Sequence, residues 1–138
     1  MNYLIDTNAI SELVKPRPNH NVVNWFKSIP PENIFLSVLT IGEIRYGITK
    51  IQDSAKKEKL RIWLEHELPK WLGDRLLTID LGVSEYWGRL LAKHKRTLPA
   101  IDSLLAATAL HADLSLVTRN IDDFQVFSDL IIVNPWDI

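Results

Sequence analysis

The sequence predicts an α/β fold, with a mainly parallel central sheet of about five strands covered by helices on both faces. Two features carry that prediction. Short β-rich apolar runs alternate with longer segments of helical periodicity, and several of the short runs stop abruptly at an acid or an amide. The first run, Tyr3-Leu4-Ile5, ends at Asp6 and gives way to Ile10, Leu13 and Val14 at helical spacing, which places a strand over Tyr3–Ile5 and a helix over Asn8–Lys15. Further strands are predicted at Ile34–Ser37, Leu76–Ile79, Leu116–Thr118 and Leu130–Val133. Helices are predicted over Val22–Ser28, Val38–Ile51, Ser54–Leu68, Val83–Lys95 and Ala100–Ala112, the connections that parallel strands require. Pro16, Pro18, Pro30 and Pro31 punctuate the early connections, and Pro69 is expected to end the Ser54 helix.

A chain of 138 residues with 46% apolar content suits one domain, residues 1–138, with a real core. It contains no cysteine, which excludes a disulfide framework and thiolate ligands and fits a reducing cytosol. Any metal must then be held by oxygen or imidazole, and oxygen ligands favour magnesium or manganese. His20, His66, His94 and His111 show no pairing at metal-ligand spacing, which argues against zinc. No apolar run approaches the roughly 20 residues of a bilayer span, and no basic segment precedes a long apolar stretch. The expectation is a soluble, cytoplasmic protein with no membrane association. A formal charge of −1 excludes a protein that coats nucleic acid through its overall field, so nucleic-acid contacts must come from local basic patches.

Asp6 falls at the carboxyl end of the first strand, the edge at which open α/β sheets bind ligands. Asp6, Thr7 and Asn8 also suit a helix cap. Glu43 lies beside a stripe of Ile41, Ile44, Ile48 and Ile51 and between Gly42 and Gly47. Glycine in a helix interior is unfavourable by about 1 kcal/mol relative to alanine, so the pair suggests close approach by a backbone or a ligand. An exposed Glu43 paired with Arg45 or Lys50 is the plainer reading. Asp102 follows Pro99, a suitable early helical position, and precedes the small-residue run Ala106-Ala107-Thr108-Ala109. An acid in a first turn is favourable through the helix dipole alone. Leu116-Val117-Thr118 is again a short strand ending in polar residues, Arg119, Asn120, Asp122 and Asp123. Thr118, Asn120 and one of the two acids can face the same edge, although Asx-rich turns are common where strands end.

Together, and in order along nearly the whole chain, these segments resemble the PIN-domain ribonucleases, in particular the VapC toxin branch with its FitB-like members. The resemblance is carried by Leu4-Ile5-Asp6-Thr7-Asn8, by Ser37 with Thr40 through Gly47, by Pro99 through Asp102 with the alanine-rich run, by Leu116 through Asn120 with Asp123-Phe124, and by Asn134-Pro135-Trp136. It implies that Asp6, Glu43 and Asp102 are the acidic triad of the site. The family's fourth acid falls at position 120, where this chain has Asn120. Asp123 then supplies the missing charge, directly or through a water.

Carboxylates gathered in a partly dry cleft repel one another and raise at least one pKa unless a cation neutralises them. The expected cofactor is Mg²⁺ or Mn²⁺, with Asp6 and Asp102 as its main ligands, Glu43 ligating it or orienting the attacking water, and Asn120 with Asp123 completing the shell. The expected reaction is hydrolysis of an RNA phosphodiester, in tRNA or rRNA. Basic residues must hold the phosphates of so acidic a site. Arg45, Arg119, Lys95 and Arg96 are the candidates, with Thr7, Asn8 and Thr118 as polar substrate contacts. Lys93 through Arg96 equally suits a solvated helix C-terminus. Lys56, Lys57, Lys59 and Arg61 read as the wet face of a helix whose Leu60, Trp63 and Leu64 point inward.

The resemblance further implies a homodimer, paired into a dimer of dimers with a cognate VapB-like antitoxin, and contact with operator DNA only through that antitoxin. A reading from another class keeps the acidic pocket but assigns it a different use. The chain would then be a catalytically weak PIN-domain binding module that captures an arginine of its partner within a DNA-binding regulatory complex. Asn120 is the residue that favours this alternative.

Overall fold

The computed structural model describes all 138 residues. Five short strands form its sheet: β1 (Tyr3–Ile5), β2 (Ile34–Ser37), β3 (Leu76–Leu77), β4 (Ser115–Val117) and β5 (Ile132–Val133). Their order is β3-β2-β1-β4-β5 and every pairing is parallel. Tyr3 stands opposite Ile34 on one side and Ser115 on the other. The first strand is thus central, and the direction of winding reverses at β1 and β4. In an open parallel sheet the crevice beyond such a switch point is the natural ligand site.

Alternation along the strands divides the core. Leu4 and Leu116 point to one face, where they join Val83, Leu90, Leu105, Ala106, Ala109 and Phe124. Ile5 and Val117 point to the other and meet Ile10, Trp25, Ile44, Ile48, Leu64 and Leu68. The second face is covered by α1 (Thr7–Glu12), α2 (His20–Ser28), α3 (Val38–Thr49), α4 (Ser54–Ile62) and α5 (Leu68–Leu72). The first is covered by α6 (Leu81–Ala92), α7 (Ala100–His111) and the single turn α8 (Ile121–Phe124).

Side-chain caps set several helix starts. Asn19 Oδ1 accepts the N–H groups of Asn21 and Val22, Ser37 Oγ accepts that of Leu39, Asp53 Oδ1 accepts those of Ala55 and Lys56, and Asp80 Oδ1 accepts that of Val83. The Asp80 cap makes α6 begin at Leu81, two positions before the expected Val83. α1 stops at Glu12 rather than Lys15, because the N–H groups of Leu13, Val14 and Lys15 reach back only three residues, to Ile10, Ser11 and Glu12, as the chain tightens into turns ahead of Pro16. β3 and β5 are shorter than predicted, two residues each, as befits the sheet edges.

Pro69 does not end the Ser54 helix. The chain passes from α4 through a π-helical turn, Trp63–Glu67, into α5. There the Leu68 N–H reaches back to Trp63 O, five residues earlier. The widened turn leaves room for the proline ring, and the missing N–H of Pro69 falls in the first turn of the next helix segment, where no intrahelical partner is needed. Gly42 and Gly47 also depart from expectation. A Cβ added at either would meet nothing within 4 Å, so no backbone or side chain of this chain crowds them.

Candidate active site

Asp6 is the junction of β1 and α1, and its neighbours account for all of its bonding. Its N–H donates to Val117 O at 2.8 Å, which ties the end of β1 to the end of β4. Its Oδ1 caps α1 by accepting the Thr7 N–H at 2.8 Å. Its Oδ2 accepts the Thr118 hydroxyl at 2.7 Å and Asn8 Nδ2 at 3.3 Å. The cap and the candidate catalytic role therefore belong to the same residue. Asp6 is 8% exposed. Burial pushes its carboxyl above the ordinary 3.8, the hydrogen bonds from Thr118 and Thr7 pull it back, and the charges of Glu43 and Asp123 raise it again.

Glu43 projects from the exposed side of α3, and its Oε1 accepts the Thr7 hydroxyl at 2.6 Å. Asp102 stands in the first turn of α7, half-buried. Partial burial raises its carboxyl, followed by the charges of Asp123, Asp6 and Glu43. Asp123, from the first turn of α8, thus acts on both Asp6 and Asp102. Four acids from four segments share one electrostatic field, and the fourth is at position 123. Asn120 contributes differently. Its side chain accepts no N–H at the start of α8, its own N–H donates to Thr118 Oγ1 at 3.0 Å, and its carbonyl accepts the Asp123 N–H at 3.2 Å.

No three Asp, Glu or His side chains converge to metal-holding distance. The Asp6 oxygens are turned toward Thr7, Thr118 and Asn8, and a Glu43 oxygen toward Thr7. The donor chemistry fits a hard divalent cation all the same: four carboxylates, two of them held above their ordinary range by burial and by one another, with the spacing left for an ion that keeps much of its water.

The remaining predicted contacts divide. Thr7 and Asn8 lie at the cluster, each bonded within it. Thr118 is fully enclosed, which corrects its placement as a substrate contact: its hydroxyl faces Asp6, with no surface left for RNA. Arg45 is not brought to the acids. It stands two residues from Glu43, on another side of α3, and its Nη2 pairs with Glu65 at 2.8 Å. Arg119 gives its N–H to Asn8 Oδ1 at 3.2 Å, but its guanidinium stacks over the Trp136 ring at 5.2 Å. Beyond it lies buried Glu12, whose carboxyl is held below the ordinary range by a hydrogen bond from Lys15, then by one from the Asn19 N–H and by the charges of Lys15 and Arg119. Lys95 and Arg96 are exposed in the turn before α7 and form no ion pair.

A groove beside the acids is formed in part by a residue whose charge marks it only as exposed. Lys56, assigned to a wet helix face, lines a groove of about 350 Å³ together with Thr7, Glu43, Ile44, Gly47 and Trp63. The signal was its spacing, four and seven residues before Leu60 and Trp63, on the same helical stripe. A wider depression on the other side of Glu43 is bounded by Val38, Leu39, Gly42, Tyr46 and Ile101. The two unobstructed glycines of α3 border these two openings.

Comparison with known proteins agrees with this geometry. The PIN domain model matches residues 3–130. Toxin FitB of Neisseria gonorrhoeae is 33% identical over 136 residues, covering 96% of this chain and 97% of that protein. The VapC ribonuclease Y4jK of Sinorhizobium fredii is 31% identical over 137 residues, covering 97% of each. A solved structure of FitAB bound to an IR36 DNA fragment superposes with a TM-score of 0.87 at 31% identity, covering 99% of this chain and 96% of that one. With this match along almost its full length, and with acids gathered at the switch point of a five-stranded parallel sheet, the chain belongs to the PIN-domain family, among the relatives of the FitB and VapC toxins.

Proposed function

We propose that this protein is a divalent-metal-dependent endoribonuclease toxin that hydrolyses phosphodiester bonds of tRNA or rRNA in the cytoplasm and is neutralised by a cognate antitoxin. The observation that carries the reading is the shared field of Asp6, Glu43, Asp102 and Asp123, in which Asp6 is buried and its carboxyl raised. A fold has little reason to keep four acids in mutual repulsion at a sheet edge unless a ligand relieves it. Asp6 and Asp102 would hold Mg²⁺ or Mn²⁺, with Glu43 and Asp123 nearby. Bound there, the ion would neutralise the carboxylates, lower the pKa of a water and stabilise charge on the phosphoryl oxygens.

The chain's own residues have separate tasks. Thr7 fixes one Glu43 oxygen through its hydroxyl, which leaves the other free to orient a water. Asn8 joins Asp6 to Thr118 through its amide. Lys95 and Arg96, exposed and without an ion pair, Lys56 in the groove beside Glu43, and Arg119, which lines an opening with Asn120 and Asp123, would meet phosphates, whereas Arg45 is paired with Glu65. The apolar groove beside Thr7 and Glu43 suits an antitoxin segment that would cover the acids. The likeness to FitAB bound to a DNA fragment supports an antitoxin partner and a DNA-binding complex for this chain; in it, operator contact would run through the antitoxin and toxin copies would pair as a homodimer.

The test is incubation of partner-free protein with total tRNA and rRNA and Mg²⁺ or Mn²⁺, followed by mapping of new RNA ends. Cleavage at discrete sites that disappears with EDTA and in Asp6→Asn and Asp102→Asn is the expected result. One observation favours a second reading, a catalytically weak binding module: position 120 carries Asn120, with no charge. Metal binding without cleavage of any RNA would select it.

A further inference from the structure

We propose that Thr118 is a positioning residue of the site. Its hydroxyl holds the Asp6 carboxylate in one orientation and couples it to the segment that carries Asp123. The inference rests on the reading of Asp6 as a metal-holding acid.

Every capacity of that hydroxyl is used. Its single proton goes to Asp6 Oδ2 at 2.7 Å, and its oxygen accepts Asn8 Nδ2 at 3.2 Å and the Asn120 N–H at 3.0 Å. The backbone leaves it little freedom. The preceding carbonyl, of Val117, accepts the Asp6 N–H at 2.8 Å, and the Thr118 N–H donates to Val133 O at 3.0 Å, so the residue is pinned between β1 and β5. A β-branched side chain on a fixed backbone has few rotamers, and Thr118 is fully buried. The Asn120 carbonyl then accepts the Asp123 N–H at 3.2 Å. One enclosed oxygen thus links Asp6 and Asn8, after β1, to the start of the α8 turn, after β4. Asp6 and Asp123 are the two acids that lie on either side of it.

Thr118→Val keeps the shape and removes the hydroxyl, whereas Thr118→Ser keeps the hydroxyl. In the valine variant kcat for RNA cleavage is expected to fall by about 100-fold with KM nearly unchanged, the signature of misplaced catalytic groups. Mn²⁺ affinity measured by calorimetry on metal-free protein should fall by at least about tenfold, as when partners of metal ligands are lost. Serine should restore most of both. If the valine variant does not fold, Thr118→Ala takes its place. A folded valine or alanine variant with wild-type kcat and Mn²⁺ affinity overturns the proposal, and so does a serine variant as impaired as valine. If the wild type cuts no RNA, the ribonuclease reading fails on its own, and the Mn²⁺ titrations of the same variants still decide the role of Thr118. Loss of Mn²⁺ binding by the wild type itself would remove the basis for both.

Discussion

The Thr7 hydroxyl donates to Glu43 Oε1 at 2.6 Å, joining the first residue of α1 to α3 across 36 positions. The contact is exposed, so it contributes little to stability, but it fixes where one acid of the cluster points. Thr7→Val should leave the melting temperature nearly unchanged and lower kcat by roughly tenfold or more, the range seen when partners of metal ligands are removed. Calorimetry and single-turnover cleavage check the two halves separately. An unchanged kcat would mean that the orientation of Glu43 does not matter.

Asp6 carries a stability penalty that depends on pH. Its native carboxyl titrates above 3.8, its ordinary value. Between the two values the native state keeps a proton that the unfolded chain has lost, so stability falls as pH rises through that interval and stays lowered above it. Asp6→Asn removes the charge but also turns an amide N–H2 toward a donor, since both Asp6 oxygens accept hydrogen bonds. In EDTA the variant is therefore expected to lose the fall in stability that Asp6 imposes as pH rises, while cutting no RNA. Its stability relative to the wild type should be lowest in acid, below the ordinary carboxylate range, and improve toward neutral pH. Thermal melts of both proteins across pH test this, and a stability difference that does not change with pH would refute it.

Gly47 borders the groove beside Glu43, and nothing in the fold occupies the space of its missing Cβ. Gly47→Ala should therefore stabilise α3 by up to about 1 kcal/mol. The added methyl would also intrude on the groove. A protein that melts higher but binds its antitoxin less tightly, measured by calorimetry, is the expected pair of results. Unchanged binding would place the antitoxin elsewhere.

The basic residues should separate in their effects. Arg45→Ala breaks an exposed pair with Glu65, worth at most about 1 kcal/mol, and should leave KM for RNA near that of the wild type. Lys95→Ala with Arg96→Ala should raise KM and flatten its dependence on salt. Cleavage assays across a salt series distinguish them, and the reverse ranking would restore Arg45 as a phosphate contact.

Asn120→Asp adds a charge to the field of Asp6, Asp102 and Asp123. The Asn120 side chain is exposed and caps nothing, so the fold should tolerate the change. Tighter Mn²⁺ binding, or a second bound ion, is expected by calorimetry. Weaker binding would show that position 120 does not face the ion.

The sequence carried the frame of the site because the relevant signals are local. An apolar run stopping at an acid marks Asp6 as both strand end and helix cap, and Pro99 marks the turn that bears Asp102. Non-local geometry left weaker traces. The π turn at Trp63–Glu67 shifts the hydrogen-bond register by one residue, which lets Pro69 sit where a regular helix would have broken. Thr118 reads as a polar strand end that can face the acids or a substrate, and only the pairing of β1 with β4 gives its hydroxyl to Asp6. Lys56 belongs to a stripe whose neighbours are apolar, a pattern obscured by Lys57 and Lys59. Gly42 and Gly47 stand out in the sequence, but the open space around them, which spacing alone does not reveal, decides their role.

The closure of β4 onto β1 has a temporal meaning. Thr118 follows Asp6 by 112 positions, and β4 cannot fill the vacant edge of β1 until the translated chain has grown past both. Bringing such distant segments together is slow and comes late in folding. A chain emerging from its amino end already displays Asp6 and Glu43, yet nothing holds them against Asp123. A fragment ending ahead of Ser115 lacks β4, Thr118 and Asp123, so the four acids cannot assemble in it. As a nuclease, the protein would be harmless to the ribosome making it until synthesis was nearly complete, which gives a partner time to gather before the first active molecule exists.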